Sequence, residues 1–417
     1  MTDATDTAPH CAERVLARIA AQEARIRAFS AHDPALLRRE AACAPAGPLA
    51  GLAIGVKDII GTEDYPTGYG SPIYDGFHTR ADAACVALLR AAGAICAGKT
   101  VTTEFAFFRA GPTVNPFAPL HTPGGSSSGS AAAVATGMAD IGLASQTAAS
   151  LTRPASYCGI VGFKPSYGRY ALAGVKSLAP SFDTLGTLTR DVATAARADA
   201  VLKGPLPATP ATTPRPPARI GLCHTPWWSE AEEGTRRAMS EAAALLAPHT
   251  AIEPVDLAPF AMGCDLHATI MGYEAAQALA WEYRAQRHVL SPQIAGLIEG
   301  GQQIDDGTYR AALVAAEGLR ARMADLFGRY DVLLAPAAPG EAPLADTGTG
   351  SPRFSRLWTL LRLPTVTLPG FAGPSGLPVG VQLLGPQGGD ETLLDHAAWA
   401  EALFPPRIMP PPYATQI

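Results

Sequence analysis

Apolar residues at helical spacing open the chain and then give way to the short runs typical of buried strands. Val15, Ile19, Ile26 and Phe29 recur at intervals of three, four and seven residues. Because side chains at this spacing share one face of a helix, we expect an amphipathic helix over about residues 13–29. The same patterning then predicts, in order, a strand over 52–56, a helix over 81–92 that Gly93 ends, a strand over 94–97, a helix over 130–138 and a strand over 141–144.

The second half of the chain continues to alternate between strand-like and helix-like segments. Strands are expected at 219–223, 252–257, 332–335, 365–368 and 379–384, and helices at 230–246, 268–288, 309–327 and 391–403. Alternation of this kind predicts an α/β protein whose sheet is mostly parallel and covered by helices.

A proline-rich stretch separates the two halves. Six prolines fall between residues 204 and 218 (GPLPATPATTPRPPA). Such a composition is typical of an extended, semi-rigid linker or a long surface excursion.

Composition and charge exclude several functional classes. Hydrophobic residues make up 47% of the 417 residues and charged residues 17%, which is enough for a large buried core. The net charge of −5 offers no basic face, so neither nucleic acid nor an acidic membrane is an expected partner. The most weakly polar run, at 131–151, contains Asp140 and Gln146 and is too polar to span a membrane.

The cysteine pattern indicates a reducing compartment. The seven cysteines are odd in number and never form a C-x-x-C pair, which predicts reduced thiols in the cytoplasm. The first six residues, MTDATD, are acidic and lack the apolar stretch of a secretion signal. Nine histidines show no metal-binding spacing such as H-x-x-x-H, so neither a metal nor another cofactor is expected.

Two short motifs suggest chemistry that their surroundings contradict. The segment from Gly93 to Thr100 satisfies the phosphate-loop pattern, but a helix precedes it and its middle residues are strand-like. Gly93 is better interpreted as the residue that ends a helix. Residues 125–129 satisfy G-x-S-x-G, the nucleophile elbow of an α/β-hydrolase esterase. That elbow needs a strand directly before it, whereas HTPGG, at 121–125, is a turn.

The Gly/Ser loop and the lysine at position 57 have ordinary interpretations as a flexible linker and a solvated strand end. Their neighbourhood favours chemistry instead. The loop lies between apolar segments and leads into a helix of small residues. Its polar groups are therefore expected to be buried, where they must be hydrogen-bonded within the protein or take part in its chemistry. A lysine buried beside serines has a lowered pKa, and its neutral amine accepts protons.

Together these residues resemble the amidase signature family. The similarity runs from GLAIGVKD (51–58) through GGSSSGSAAAV (124–134), QTAASLTRPA (146–155) and GIVGFKP (159–165) to GLPVGVQL (376–383). It is weakest between about 200 and 330. Among subgroups the chain is most similar to the short malonamidase-type enzymes. The resemblance implies one α/β/α domain over residues 1–417, with a large twisted mixed sheet covered by helices on both faces and the proline-rich stretch as an excursion.

The family's catalytic triad transfers residue by residue. Ser150 matches the nucleophile, Ser126 the serine that follows a cis peptide bond, and Lys57 the base. The resemblance implies hydrolysis of an amide through a Ser150 acyl-enzyme, with the backbone N–H groups of residues 147–150 as the oxyanion hole. A homodimer that acts on a small-molecule amide is expected.

Two departures from the family pattern concern this loop. Ala148 and Ala149 stand where glycines are common, and would be strained if either needed a positive φ. Gln146 replaces a common aspartate, and the arginine stands at position 153. We expect Gln146 and Arg153 to bind substrate, Arg153 by holding a carboxylate as in malonamate. The alternative for Arg153 is an ion pair that supports the loop.

Two other functions remain open at this point. One is the A subunit of a tRNA-dependent glutamine amidotransferase, although that subunit is usually longer than this chain. The other is a catalytically inactive scaffold, which the three intact triad positions disfavour.

Overall fold

The computed structural model describes residues 7–204 and 213–411. Eleven strands in these ranges form a single sheet: β1 (Phe29–Ala31), β2 (Ala53–Lys57), β3 (Ile95–Thr100), β4 (Ile141–Gln146), β5 (Val161–Lys164), β6 (Thr184–Thr189), β7 (Arg219–Leu222), β8 (Ala251–Pro254), β9 (Val332–Pro336), β10 (Thr365–Ala372) and β11 (Pro378–Leu384). The α-helices of the same ranges are α1 (Ala8–Ile26), α2 (Pro34–Cys43), α3 (Ala84–Ala91), α4 (Ser128–Thr136), α5 (Thr152–Tyr157), α6 (Val192–Leu202), α7 (Glu233–Leu246), α8 (Gly263–Ala278), α9 (Ala280–Gln286), α10 (Pro292–Gln302), α11 (Asp306–Phe327), α12 (Arg353–Leu360) and α13 (Asp390–Leu403).

The sheet is mixed, with the strand order β1-β3-β2-β4-β6-β5-β10-β11-β9-β7-β8. Parallel pairing is confined to β3-β2-β4 and β9-β7-β8. Every other pair is antiparallel. The mostly parallel sheet expected from alternation is therefore wrong, because β5 to β6 and β10 to β11 return without a crossover helix. The mixed sheet implied by the family resemblance is confirmed.

Alternate side chains of the central strands enter two separate cores. Ile54 and Val56 of β2 join a core that also contains residues of α3 and α6. Ala53, with Ile95 and Ala97 of β3, joins a second core built with α1 and α4. Because successive side chains of a strand point to opposite faces, helices cover both faces of the sheet.

Helix α4 is buried along its whole length, from Ser128 to Thr136. Its small side chains allow this close approach. An added Cβ on Gly129 would lie 2.2 Å from the carbonyl oxygen of Ala28 and 2.3 Å from the amide nitrogen of Val101. Larger residues would push the helix outward, and with it the serine loop that leads into its first turn.

The sheet continues on both sides of the proline-rich stretch. Helix α6 ends just before Gly204, and β7, which begins at Arg219, pairs with β9 and β8 of the same sheet. The described residues thus form a single α/β domain. Residues 205–212 of the expected excursion lie outside the described ranges, and 213–218 contain no helix or strand.

Two helix boundaries differ from the predicted ones for identifiable reasons. Helix α1 stops at Ile26 because Arg27 adopts a left-handed conformation (φ 54°), so Phe29 joins β1 instead. The helix expected over 268–288 is divided into α8 and α9, because the backbone of Leu279 leaves the helical region (φ −109°, ψ 19°). Gly93 follows α3 with φ 96°, and Lys99 lies inside β3. The segment from Gly93 to Thr100 is therefore not a phosphate loop, as its surroundings in the sequence predicted.

None of the helices in the described ranges is both long and apolar enough to cross a membrane.

A buried carboxylate joins the start of β2 to helix α1 and to the segment between β6 and α6. Asp140 is 2% exposed and accepts hydrogen bonds from Arg14 Nη2 (2.9 Å), Arg190 Nη2 (2.6 Å) and the backbone N–H of Ala53 (2.9 Å). Burial alone raises the pKa of Asp140, but the hydrogen bond from Arg14 and the charge of Arg190 lower it overall.

We expect Asp140→Ala to lower the free energy of unfolding by about 3–5 kcal/mol, because it removes a buried carboxylate that is hydrogen-bonded to two guanidinium groups and to a backbone N–H. Urea denaturation measures the loss. The exposed Glu13–Arg38 pair provides the control, and Glu13→Ala should change stability little. Since the Asp140 pKa is depressed in the fold, its contribution is present at neutral pH and is lost as the pH falls below about 4. Equal stability of the two variants would contradict this role.

Candidate active site

Lys57 ends β2 inside the protein, where its side chain has no access to solvent. Its Nζ donates hydrogen bonds to Ser126 Oγ (2.7 Å) and Ser145 Oγ (2.8 Å). Burial lowers the pKa of Lys57 to about 7, against the opposing charge of Asp183. A substantial fraction of this amine is therefore neutral near pH 7 and can accept a proton.

Ser126 lies in the irregular segment before α4, and the Gly125–Ser126 peptide bond is cis. Its carbonyl oxygen accepts a hydrogen bond from the Thr103 N–H (3.2 Å). The next residue, Ser127, donates its N–H to the carbonyl oxygen of Ser150 (3.2 Å). The two serine segments are thus held together by their backbones, although 24 positions separate Ser126 from Ser150.

The absence of a strand before this loop excludes a nucleophile elbow. Residues 122–127 form bends and irregular backbone, and α4 begins at Ser128. The G-x-S-x-G esterase interpretation is wrong, because its serine must be presented on a sharp strand-to-helix turn.

Ser126 and Ser150 line the same small pocket, which is partly open to solvent. The structure brings Arg153 and the predicted loop 147–150 to this pocket as well. Aromatic and aliphatic side chains form much of the remaining wall: Ala106, Phe107, Phe108, Leu178, Met271 and Pro352. A pocket of this size admits only a small substrate group beside Ser150.

The backbone of loop 147–150 is polarised toward the pocket. Each of its four carbonyl oxygens accepts a hydrogen bond from within the protein. In chain order the donors are His267 Nε2 (2.7 Å), Thr359 Oγ1 (2.8 Å), Arg153 N (3.1 Å) and Ser127 N (3.2 Å). In the described part of the chain, none of the four N–H groups donates to a protein acceptor. The loop therefore has N–H groups without protein acceptors in the wall of the pocket, as an oxyanion hole would require.

Ala148 and Ala149 fit the loop without strain. Neither residue has a positive φ, so neither needs the conformational freedom of glycine. The alanines therefore leave the backbone geometry of the loop ordinary.

Gln146 lies behind the loop and does not line the pocket. Its Oε1 accepts hydrogen bonds from the N–H groups of Leu151 and Thr152 and from Thr152 Oγ1, each at 3.0 Å. Its Nε2 donates to Thr359 Oγ1 at 3.0 Å. Both polar atoms are thus used inside the protein, so the geometry supports a structural role for Gln146 and does not support its predicted contact with substrate.

Arg153 is 3% exposed and lines the pocket without a carboxylate partner. Its terminal nitrogens donate to the carbonyl oxygens of Gly350 and Gly125 (2.6 Å for the latter) and to Thr349 Oγ1 (3.1 Å). Burial lowers its pKa to about 10, so the guanidinium stays charged at neutral pH. No ion pair of Arg153 is present within residues 7–204 and 213–411, so the alternative of a loop-supporting ion pair is wrong.

Three buried residues of this neighbourhood were not found from the sequence. Ser145, on β4, is the second hydroxyl partner of Lys57. Asp183 accepts hydrogen bonds from Thr147 Oγ1 (2.6 Å) and Ser177 Oγ (2.7 Å), and burial raises its pKa despite them. His267, on α8, is stacked on Phe182. Ser145 could have been predicted only from the parallel register of β2 and β4. No local sequence pattern indicates Asp183 or His267.

The imidazole of His267 is a neutral donor. Burial lowers its pKa to about 3. Because the carbonyl of Thr147 can only accept, the proton of the neutral ring lies on Nε2, and Nδ1 is buried without a partner in the described chain. His267 therefore fixes the Thr147 carbonyl away from the pocket.

No group of three or more His, Cys, Asp or Glu side chains placed to hold a metal ion occurs among the described residues.

Comparison with known proteins adds independent information. A family model described as Amidase matches residues 11–394. The A subunit of glutamyl-tRNA(Gln) amidotransferase from Thermus thermophilus is 32% identical, over 94% of this chain and 93% of that protein. Indoleacetamide hydrolase from Pseudomonas savastanoi is 31% identical, over 87% and 86%. The structure of a peptide amidase from Stenotrophomonas maltophilia superposes with a TM-score of 0.82 at 27% identity, covering 97% and 95% of the two chains.

We expect Lys57 to titrate near pH 7, more than three units below an exposed lysine, whose pKa is about 10.4. NMR of the intact protein carrying ¹³Cε-labelled lysine measures this value. Lys57→Met assigns the resonance by removing it, and the resonance of Lys176, which is partly exposed and ion-paired with Glu282, should be retained in that variant as the assignment control. A Lys57 resonance that titrates near pH 10 contradicts the neutral base.

Proposed function

The chain belongs to the amidase family, whose members hydrolyse amide C–N bonds, and we propose that it is a free-standing hydrolase of small amides that carry a carboxylate, such as malonamate. The observation that carries this proposal is the charge of Arg153, which is buried in the wall of the pocket that holds Ser150 and has no counter-ion among the described residues. An anionic substrate would supply the missing charge.

The acylation step uses the hydroxyl groups that the fold brings together. Neutral Lys57 accepts the proton of Ser126, and Ser126 accepts the proton of Ser150 as its oxygen attacks the amide carbon. The carbonyl electron pair moves to oxygen, and the free N–H groups of loop 147–150 stabilise the resulting charge. Removal of one such donor elsewhere costs about 3–4 kcal/mol, so the loop contributes as much as the base.

The tetrahedral intermediate then loses its amine. As the C–N bond breaks, Ser126 gives its proton to the departing nitrogen and recovers one from Lys57, so ammonia leaves as a neutral molecule. Water attacks the acyl-enzyme by the same route: its proton passes through Ser126 to Lys57 and returns along that path to Ser150 Oγ as the ester C–O bond breaks. The acid product leaves and ionises to the carboxylate in solution. No histidine and no metal ion takes part in these proton transfers.

The size of the pocket limits the substrate, and Arg153 selects its charge. The narrow space beside Ser150, walled by Phe107, Phe108 and Met271, suits a short acyl chain. A planar guanidinium can bind a carboxylate through directed N–H groups, and Arg153 lines the same pocket as Ser150. These features support placing the chain with the malonamidase-type amidases.

A second candidate is the A subunit of a tRNA-dependent amidotransferase complex. The similarity to the Thermus subunit covers 94% of this chain and 93% of that protein, which supports this candidate. This function requires partner subunits, whereas the proposed hydrolase acts alone. Ammonia release that appears only after partner subunits are added would favour the amidotransferase.

The proposed function is tested by ammonia release from malonamate and malonamide with the purified chain. We expect the wild type to favour malonamate and Ser150→Ala to abolish turnover of both, because the nucleophile is removed. Arg153→Ala should reduce the preference for malonamate by roughly 10- to 100-fold, the range expected from losing a hydrogen bond to a charged group. Arg153→Lys should restore part of it, since it keeps the charge without the planar fork.

Malonamide provides the internal control, because it has the same length as malonamate without the charge. If Arg153→Ala leaves the ratio of the two KM values unchanged, Arg153 does not bind the carboxylate. If the wild type releases ammonia from neither substrate, alone or with partners, the proposed hydrolase is wrong.

His267 should affect the rate of turnover without contacting the substrate. His267→Leu removes the donor to the Thr147 carbonyl and loosens the loop. We expect kcat to fall about tenfold with little change in KM, less than the roughly 100-fold loss of a direct oxyanion donor. His267→Gln keeps an N–H donor and should recover most of the rate. Because the imidazole stays neutral, the acid limb of the pH profile should not move in either variant, and a shifted limb would contradict this positioning role.

A further inference from the structure

A second cavity, open to solvent, lies directly beside the catalytic pocket, and the mechanism does not use it. Much of this outer groove is formed by segment 346–352, which lies between β9 and α12. Among the described residues, Phe108, Thr349 and Pro352 border both the outer groove and the pocket that holds Ser150. Because each of these residues faces both spaces, together they form the wall that divides them.

The part of this wall that comes from segment 346–352 is firmly held. Thr349 Oγ1 accepts a hydrogen bond from Arg153 Nη2 (3.1 Å), and the carbonyl oxygen of Gly350 accepts one from Arg153 Nη1. Gly350 has φ 84°, and a Cβ at this position would lie 2.6 Å from the hydroxyl oxygen of Tyr157. This side of the wall therefore cannot move without losing the contacts of a buried arginine.

The half-buried ring of Phe108 completes the wall from the opposite side. It packs edge-on against Phe107, with ring centroids 4.8 Å apart, and its own centroid lies 5.8 Å from Arg153 Cζ. Phe107 anchors the backbone, since its N–H donates to the carbonyl oxygen of Glu104 (2.8 Å). Phe108 itself makes no backbone hydrogen bond within the described ranges. Shortening the Phe108 side chain would thus open the wall without releasing the segment that carries it.

We propose that Phe108 determines the size of the acyl group, because its ring closes the catalytic pocket off from the outer groove. This inference rests on the proposed function and deepens it. In that function Arg153 holds the far end of the acyl group, and Phe108 contacts Arg153, so the wall stands on the acyl side of Ser150. An extended acyl chain needs the space that the ring occupies and then the groove behind it. With the ring in place, the enzyme is restricted to short acyl groups.

Ammonia release from unbranched primary amides tests this role. For the wild type we expect kcat/KM to be lower for octanamide than for propionamide. Phe108→Ala should raise the ratio of kcat/KM for octanamide to that for propionamide by roughly tenfold or more, the effect expected when an apolar site admits even one further methylene group. Phe108→Tyr keeps the ring and should keep the wild-type ratio.

The probes are uncharged for a structural reason. The outer groove carries the carboxyl groups of Glu230, Glu232, Glu341 and Asp346. A charged substrate would respond to these groups as well as to the width of the opening, whereas a neutral amide reports the space alone.

Phe107→Ala is the matched control. Phe107 is also an aromatic residue of the catalytic pocket, but it does not line the outer groove. Its removal enlarges the pocket without joining the two spaces, and the chain of octanamide is longer than the space that one phenyl ring vacates. This variant should therefore leave octanamide as poor a substrate, relative to propionamide, as it is for the wild type.

Binding to an inactive parent gives a readout that does not need turnover. In Ser150→Ala, calorimetry with octanamide should show binding that is roughly tenfold tighter once Phe108→Ala is added. Should Phe108→Ala fail to give a cooperative thermal transition, Phe108→Leu replaces it in both comparisons.

Three results would overturn the proposal: an unchanged ratio of the two kcat/KM values in Phe108→Ala, an unchanged affinity for octanamide, or an equal gain in Phe107→Ala. The last result would assign the added space to the pocket alone. Failure of the proposed function appears separately, as absence of ammonia release from every amide, and the calorimetric comparison then still decides the role of Phe108.

Discussion

The burial of one lysine is the constraint on which the site depends. An ammonium group that is removed from water is costly unless a carboxylate is paired with it, and Lys57 has hydroxyl partners instead. Asp183 is near enough to affect its charge but is occupied by four other donors. The fold therefore holds the lysine in the protonation state that a base needs, and the stability lost in burying it must come from packing elsewhere.

That packing comes from small residues around the sheet. A helix buried on every side places the serine loop over the end of β2, and it can do so only because glycine, alanine and serine fill it. Backbone hydrogen bonding, and not contact between long side chains, then sets the spacing of the two serine segments. The arrangement of the pocket residues therefore depends on backbone segments that approach each other closely.

The parts of the site that follow one another in the chain could be predicted from sequence, and the parts that meet across the sheet could not. Lys57, Ser126 and Ser150 stand in local motifs whose neighbours are informative. Ser145 depends on strand register, and His267 lies in a helix with no recognisable pattern. The prediction that most strand pairs are parallel was wrong for the same reason. Alternation of strands and helices indicates the order of the elements along the chain, but it does not indicate whether neighbouring strands are parallel or antiparallel.

Loop 147–150 is completed by residues that are synthesised much later than the loop itself. Its carbonyl groups are held by His267 on α8 and Thr359 on α12, which lie 120 and 211 positions beyond their partners. On the ribosome, Lys57 and both serines emerge while these donors are still untranslated. A truncated or stalled chain thus carries Lys57, Ser126 and Ser150 but not the donors that hold loop 147–150, so these contacts form only when nearly the whole polypeptide has been made.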